Sequence, residues 1–190
     1  MNNIIAIGVS TGGPKALQHV IPLLQSDLPS GVLVVQHMPS GFTKSLADRL
    51  NEISNVLVKE ADDGEKINSG TVYIAPGGYH MKVVPVGEDY FIELSNDMPV
   101  NGLKPSFDVL LSSLARTHAK LIVAVMTGMG NDGTNGIKKL DKKNTYIIAQ
   151  NEETSTIFGM PSSAIKTGLI DIVLPVDEIA NEIDRIARRI

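Results

Sequence analysis

The sequence contains no cysteine, no tryptophan and few other aromatic residues. Without cysteine, the chain can form no disulfide bond, thiolate nucleophile or cysteine-ligated metal site. Because aromatic residues make up only 4% of the chain, stacking platforms for nucleic-acid bases are not expected. The formal net charge is −4, so no strong basic field attracts nucleic acid or anionic lipid. We therefore expect no nucleic-acid partner.

Long hydrophobic runs are also absent, since no segment approaches the ~18 apolar residues of a membrane span. The first apolar segment is too short for a secretory signal peptide and follows no basic residues. We expect no membrane insertion and a cytoplasmic location. The remaining composition, 43% hydrophobic and 20% charged over 190 residues, is typical of a globular protein, and we assign residues 1–190 to a single domain.

Apolar segments alternate with helical patterns along the chain. Besides the first apolar run, Ile4-Ile5-Ala6, the pattern predicts strands at 32–36, 56–58, 71–75, 121–126 and 146–149, and helices at 42–51, 108–117 and 176–189. The alternation predicts an α/β fold, a doubly wound, mostly parallel sheet with helices on both faces. Residues 81–94 read as an antiparallel hairpin, which we place at one edge of the sheet.

The first helix is predicted to begin at Pro14. Its apolar residues recur at the spacing of one buried helical face: Leu17, Val20, Ile21 and Leu24. Pro22 lies within this pattern, so we expect a kink or an early end to the helix.

The segment Gly8-Val9-Ser10-Thr11-Gly12 reads G-x-S-x-G, the pattern that presents a nucleophilic serine between a strand and a helix. Two alternatives remain open. The glycine spacing is one substitution from the dinucleotide-binding fingerprint, although the next strand ends in Gln36-His37 rather than in an acidic residue. The segment is also compatible with a turn that binds nothing.

Three polar residues, Ser10, His37 and Asp132, follow predicted strands. In a doubly wound sheet, residues beyond the carboxyl ends of the strands line the ligand crevice. A serine nucleophile needs a base, and the base needs a carboxylate to orient it, so the three predict a catalytic triad. Considered alone, His37 is compatible with a strand-end histidine that hydrogen-bonds to nearby backbone. Asp132 alone is compatible with an ordinary turn residue or a helix N-cap. The order Ser–His–Asp differs from the Ser–Asp–His order of α/β hydrolases.

The four histidines do not form metal-ligand spacings with carboxylates, so we expect neither a metal nor a cofactor. His19 and His118 fall on predicted helices away from the strand ends. His80 follows Pro76-Gly77-Gly78-Tyr79, where a role in stabilising the turn is expected.

Six segments together resemble the catalytic domain of the chemotaxis protein-glutamate methylesterases, the CheB family. They follow in order as Ile5-Ala6-Ile7-Gly8-Val9-Ser10-Thr11-Gly12-Gly13-Pro14, Val34-Val35-Gln36-His37-Met38-Pro39, Val72-Tyr73-Ile74-Ala75-Pro76-Gly77-Gly78-Tyr79-His80-Met81, Lys104-Pro105-Ser106-Phe107-Asp108-Val109-Leu110, Met126-Thr127-Gly128-Met129-Gly130-Asn131-Asp132-Gly133 and Phe158-Gly159-Met160-Pro161. The resemblance covers essentially the whole chain.

The resemblance implies a serine hydrolase with Ser10 as nucleophile, His37 as base and Asp132 as acid. Its implied reaction is hydrolysis of glutamate γ-methyl esters on the cytoplasmic helices of methyl-accepting chemoreceptors, with release of methanol. Deamidation of receptor glutamines is implied as a related activity. For the oxyanion we expect backbone N–H groups in the glycine turns, those of Met129 and Thr11.

Two features depart from the family pattern. Family members usually carry an N-terminal receiver domain, whereas here Met1-Asn2-Asn3 leads into the first strand. We expect either a separated catalytic domain or a stand-alone form, with a receiver domain as a partner in cis or in trans. Lys104 also stands where the family more often has arginine, which alters any contact with receptor carboxylates.

Three rival functions remain. A nucleotide-binding module explains the first glycine turn but leaves His37 and Asp132 without a role. A hydrolase acting on another ester would use the same triad. A binding protein with an inactive triad is the third.

Overall fold

The computed structural model describes residues 3–189, and these contain a seven-stranded sheet and a separate two-stranded sheet. Residues 1, 2 and 190, which the assigned domain includes, lie outside the described residues. The strands are β1 (Asn3–Val9), β2 (Gly31–Gln36), β3 (Leu57–Glu60), β4 (Thr71–Ile74), β5 (His80–Val86), β6 (Asp89–Ser95), β7 (Lys120–Val125), β8 (Thr145–Gln150) and β9 (Ile172–Leu174).

The large sheet has the order β3-β4-β2-β1-β7-β8-β9, and its strand pairings are parallel. The helices are α1 (Gly13–Val20), α2 (Phe42–Ile53), α3 (Phe107–Leu114), α4 (Thr134–Ile137), α5 (Met160–Ile165) and α6 (Val176–Ala187). Successive side chains of a strand point to opposite faces, so a strand covered on both faces must be apolar throughout. The seven residues of β1 are all buried.

The core consists of two hydrophobic clusters, one on each face of the large sheet. Ile5 and Ile7 of β1 belong to a cluster that includes the buried faces of α1, α2 and α6. Ile4 and Ala6 belong to the other cluster, with α3, α5 and the two-stranded sheet. The predicted doubly wound, mostly parallel α/β fold with helices on both faces is confirmed.

The predicted antiparallel hairpin is also confirmed, as the pair β5–β6. Its strands form a sheet of their own rather than extending the large one. Backbone hydrogen bonds join β6 to residues 64–67, which follow edge strand β3. On its other side, Val83 N donates to Ser113 Oγ of α3 at 2.9 Å. The hairpin is therefore fastened both to one side of the sheet and to α3.

Pro22 ends the first helix as expected. Helix α1 stops at Val20 and a short 3₁₀ turn, Ile21–Leu23, follows. The four apolar residues predicted on its inner face, Leu17, Val20, Ile21 and Leu24, are fully buried. Helix α3 spans Phe107–Leu114 rather than 108–117.

Short elements escaped the sequence prediction, among them the helix α5 and the three-residue edge strand β9. Neither is long enough to show a periodic pattern. Within residues 3–189, the structure contains no helix whose length and apolar character would let it cross a bilayer.

Candidate active site

Three neighbouring strands bring the candidate residues together. Strand β1 lies between β2 and β7, so their carboxyl ends meet at one edge of the sheet. Ser10 directly follows β1 and His37 directly follows β2, whereas Asp132 lies in the loop after β7. The backbone pairing continues past the strands, because His37 N donates to Val9 O at 3.2 Å and Ser10 N donates to Thr127 O at 3.0 Å.

The side chains of His37 and Asp132 form a short hydrogen bond. His37 Nε2 lies 2.7 Å from Asp132 Oδ2, and the side chains are 9% and 4% exposed. Because the carboxylate can only accept, Nε2 carries the proton and Nδ1 of the neutral ring keeps its lone pair. The ring nitrogen able to accept a proton from Ser10 is therefore Nδ1.

The Asp132 carboxylate accepts four further hydrogen bonds. Its donors are Phe107 N at 2.7 Å, Asp108 N at 2.9 Å, Ser106 Oγ at 2.9 Å and Gly133 N at 3.1 Å. Two of these amides belong to the first turn of α3, where backbone N–H groups lack helical partners and a negative charge is stabilised.

Burial by itself raises the pKa of the Asp132 carboxyl, but the hydrogen bonds oppose it. The bonds from His37 and from the amides of Asp108 and Phe107 lower the pKa below its ordinary value. Asp132 therefore stays ionised at neutral pH and holds the His37 ring in one orientation.

Asp108 is a second buried carboxyl beside Asp132. Its Oδ1 accepts from Gly136 N, within α4, at 2.7 Å. Burial, with the nearby Asp132 charge, raises the pKa of Asp108. Asp108 thus donates its backbone N–H to Asp132, and its carboxylate holds the short helix α4 that follows Asp132.

Sequence reasoning gave no role to Ser106 or Asp108, although both lie in the motif Lys104-Pro105-Ser106-Phe107-Asp108. It also missed Gln36, which is 2% exposed. Gln36 Nε2 donates to Ser10 O at 3.0 Å and to His37 O at 3.2 Å. This amide ties together the two chain segments that carry the nucleophile and the base.

Ser10 is half-buried in the glycine turns. Its hydroxyl makes no hydrogen bond with any of residues 3–189, so the Ser10–His37 contact expected of a triad is not formed. Catalytic hydrogen bonds are often long without substrate and tighten in the complex. A Cβ added at Gly128 would lie 2.7 Å from Ser10 Cβ, so only glycine allows the loop after β7 to approach the serine this closely.

The turn differs from the strained elbow of the α/β hydrolases. The residue with positive φ is Gly12, at +81°, whereas Ser10 has a negative φ. A glycine adopts this left-handed conformation without steric cost, so the turn stores no strain at the serine. The G-x-S-x-G pattern in this chain is therefore a glycine turn before α1, and its backbone conformation differs from that of the α/β-hydrolase elbow.

Thr11 directly follows Ser10 in the first turn, and Met129 lies in the loop after β7. Their backbone N–H groups donate to no acceptor among residues 3–189, which leaves both able to bind an oxyanion. Met129 follows Gly128 directly, and its side chain is 67% exposed. Their assignment to the oxyanion site stays a prediction.

The other histidines lie apart from this site. His80 is fully buried, and its Nε2 is 3.1 Å from Met98 O. His19 is half exposed near Asp177. Across residues 3–189, no group of three or more histidine, aspartate or glutamate side chains is placed to hold a metal ion.

A parallel α/β sheet with a serine, a histidine and a buried carboxylate at adjacent strand ends is the arrangement of the serine-hydrolase class. The comparisons with known proteins narrow this class. The model of the family described as CheB methylesterase matches residues 5–183. The chain belongs to the CheB methylesterase family.

Relatives and a solved structure agree with this placement. The chain is 48% identical over 187 residues to the protein-glutamate methylesterase/protein-glutamine glutaminase of Halalkalibacterium halodurans, covering 98% of this chain and 54% of that protein. It is 49% identical over 182 residues to the protein of the same name from Bacillus subtilis, covering 95% and 51%. The chain therefore spans about half the length of these relatives.

The solved structure is the CheB methylesterase catalytic domain of Thermotoga maritima. It is 41% identical in sequence and superposes with a TM-score of 0.95, with 98% of this chain and 99% of that chain covered. The fold described above is thus that of a CheB catalytic domain.

Proposed function

We propose that this chain is a methylesterase catalytic domain that hydrolyses glutamate γ-methyl esters on the cytoplasmic helices of chemoreceptors. The same acyl chemistry would deamidate receptor glutamines. Residues 1–190 form one catalytic domain in this proposal, which acts in the cytoplasm, and a receiver domain in cis or in trans is its regulatory partner. The observation that carries it is the His37–Asp132 pair at 2.7 Å, beside a serine on the next strand end, in a member of this family.

In the first half-reaction, Ser10 Oγ attacks the ester carbonyl carbon while its proton passes to His37 Nδ1. Asp132 stabilises the imidazolium through Nε2, since its pKa is lowered and it remains charged. Collapse of the tetrahedral intermediate breaks the carbon–oxygen bond of the methoxy group. His37 returns the proton, so methanol leaves and an acyl-Ser10 remains.

In the second half-reaction, water attacks the acyl carbon with His37 again as base. Cleavage of the ester to Ser10 releases glutamate and restores the hydroxyl. With a glutamine substrate, ammonia leaves in the first step and the second step is unchanged. Backbone N–H groups of Met129 and Thr11 stabilise the oxyanion in both, and such donors are worth about 3–4 kcal/mol each.

Mass spectrometry of a methylated chemoreceptor cytoplasmic fragment tests this proposal. Incubation with the protein should remove the mass of one methylene group per modified glutamate. The Ser10→Ala variant should lower kcat by about 10⁴–10⁶. A fluorophosphonate probe reports separately on whether Ser10 is an activated nucleophile.

The outcomes separate the rival functions. Labelling of Ser10 without demethylation would retain the hydrolase and reject the chemoreceptor ester as substrate. Neither labelling nor demethylation would reject the hydrolase itself.

A further inference from the structure

Five large apolar side chains are exposed around the candidate active site. They are Phe42, Tyr79, Met98, Met129 and Ile157, with exposures of 60%, 45%, 83%, 67% and 38%. Phe42, Tyr79, Met129 and Ile157 lie in or just beyond the loops that follow β2, β4, β7 and β8, and Met98 lies between β6 and α3. We call these five residues the apolar rim.

The loops that carry the rim touch one another. Gly77 N, two residues before Tyr79, donates to Thr43 Oγ1, next to Phe42, at 2.9 Å. On the opposite side of Ser10, Gly128 N, next to Met129, donates to Ile157 O at 3.0 Å. The loops that carry four of the rim residues are therefore joined in two pairs, one pair on each side of Ser10.

Met98 is the most exposed member, yet its loop is held firmly. The buried His80 ring contacts Met98 O at 3.1 Å, and Lys82 Nζ binds Asp97 Oδ2 at 2.6 Å. Lys104 Nζ donates to Asn96 Oδ1 at 2.6 Å. The backbone that carries the exposed Met98 side chain is therefore ordered before a partner binds, and only the side-chain rotamers remain to be fixed on binding. This combination is typical of a preorganised contact residue.

Lys104 adds a charge to the same region. It forms no ion pair with any acidic residue among residues 3–189, and its carbonyl accepts from Gly78 N at 3.3 Å, beside Tyr79. An unpaired cation next to exposed apolar groups complements a partner that presents both carboxylates and apolar side chains. A helical segment rich in glutamate, some of it methylated, has this chemistry.

We propose that the apolar rim is the docking surface for the helical protein substrate, with Lys104 contacting its free carboxylates. This inference rests on the proposed function, and it assigns the selection of the substrate to the rim. A glutamate side chain is short, so a helix whose ester carbonyl reaches Ser10 must lie against the surrounding loops. Docking on the rim makes the enzyme select esters on a protein over small free esters.

The test compares two substrates, a methylated chemoreceptor cytoplasmic fragment and p-nitrophenyl acetate. Met98→Ser should lower the ratio of kcat/KM on the fragment to kcat/KM on the small ester by about tenfold, the effect of a strong interface residue. The matched control is Val86→Ser, because Val86 is 58% exposed at the far end of the hairpin and should leave both rates at wild-type values.

The results distinguish failure of this inference from failure of the proposed function. If the wild-type protein does not demethylate the fragment, the proposed function fails. If it does and Met98→Ser keeps the wild-type ratio, or lowers both rates equally, the rim is not the docking surface. Sedimentation of both proteins tests a second copy as the occupant: a wild-type dimer that Met98→Ser dissociates with an unchanged ratio would assign the rim to that copy instead.

Discussion

Oδ2 of Asp132 accepts two short hydrogen bonds at once, one from His37 Nε2 and one from Phe107 N, each 2.7 Å long. The same oxygen thus joins the candidate base to the first turn of α3. With three more donors on the other oxygen, the carboxylate has little freedom to rotate. Asp132 is accordingly positioned by a helix terminus that lies 24–26 residues away along the chain.

Replacing Asp132 by asparagine should lower kcat by about 10⁴. An amide that donates to Nε2 would place the His37 proton on Nδ1, where it blocks proton transfer from Ser10. Rates on the methylated receptor fragment measure this effect. Asp62→Asn is the control, because that carboxylate is 77% exposed and pairs with Lys59 on the surface. A loss below tenfold for Asp132→Asn would remove Asp132 from the mechanism.

The two buried aspartates should affect acid stability with opposite signs. The pKa of Asp132 is lowered on folding, so its contribution to stability is present above the ordinary value of 3.8 and is lost as the pH falls through the lowered value. The pKa of Asp108 is raised, so its neutral form favours the folded state as the pH falls through that raised value towards 3.8.

Urea unfolding across the acid range measures both effects. The difference in unfolding free energy between the wild-type protein and Asp132→Asn should shrink below about pH 4. The difference between the wild-type protein and Asp108→Asn should move in the wild-type protein's favour as the pH falls through the raised pKa of Asp108 towards 3.8, because Asp108 then takes up its proton. Parallel curves for the two variants would contradict the assignment of these shifts.

Ser106→Ala should lower both stability and activity. The hydroxyl is fully buried and donates to Asp132 Oδ1 at 2.9 Å, and losing a buried bond to a charged group costs about 1–3 kcal/mol. We expect a fall in kcat of roughly tenfold, which corresponds to about 1.4 kcal/mol of transition-state stabilisation. Thermal unfolding and fragment kinetics report the two effects. Ser112→Ala, on the same helix but bonded to the Asp108 carbonyl, should retain wild-type kcat.

Gly128→Ala should impair catalysis more than folding. The new Cβ would lie 2.7 Å from Ser10 Cβ and 2.5 Å from Met160 Sδ, so the serine must shift. A displacement of about 1 Å at a reacting group can cost 10²-fold in rate. Gly64→Ala is the comparison, since Gly64 has a positive φ but open space around it. It should lose stability from backbone strain and keep full kcat.

The sequence by itself determined where the apolar strands lie and which polar residues follow them. Ser10 and His37 come directly after runs that must be buried on both faces, so their place at the carboxyl edge follows from the strand pattern alone. Pro22 likewise set the end of α1, because proline cannot continue the hydrogen-bonding pattern of the helix.

Only the tertiary structure decided which strand ends become neighbours and what surrounds them. The order β2-β1-β7 places His37 and the Asp132 loop on either side of Ser10, and strand order arises from packing between distant segments. The donors to Asp132 come from α3, and the left-handed residue of the first turn is Gly12 rather than Ser10. These are long-range contacts and backbone conformations, which no local pattern of residue types encodes.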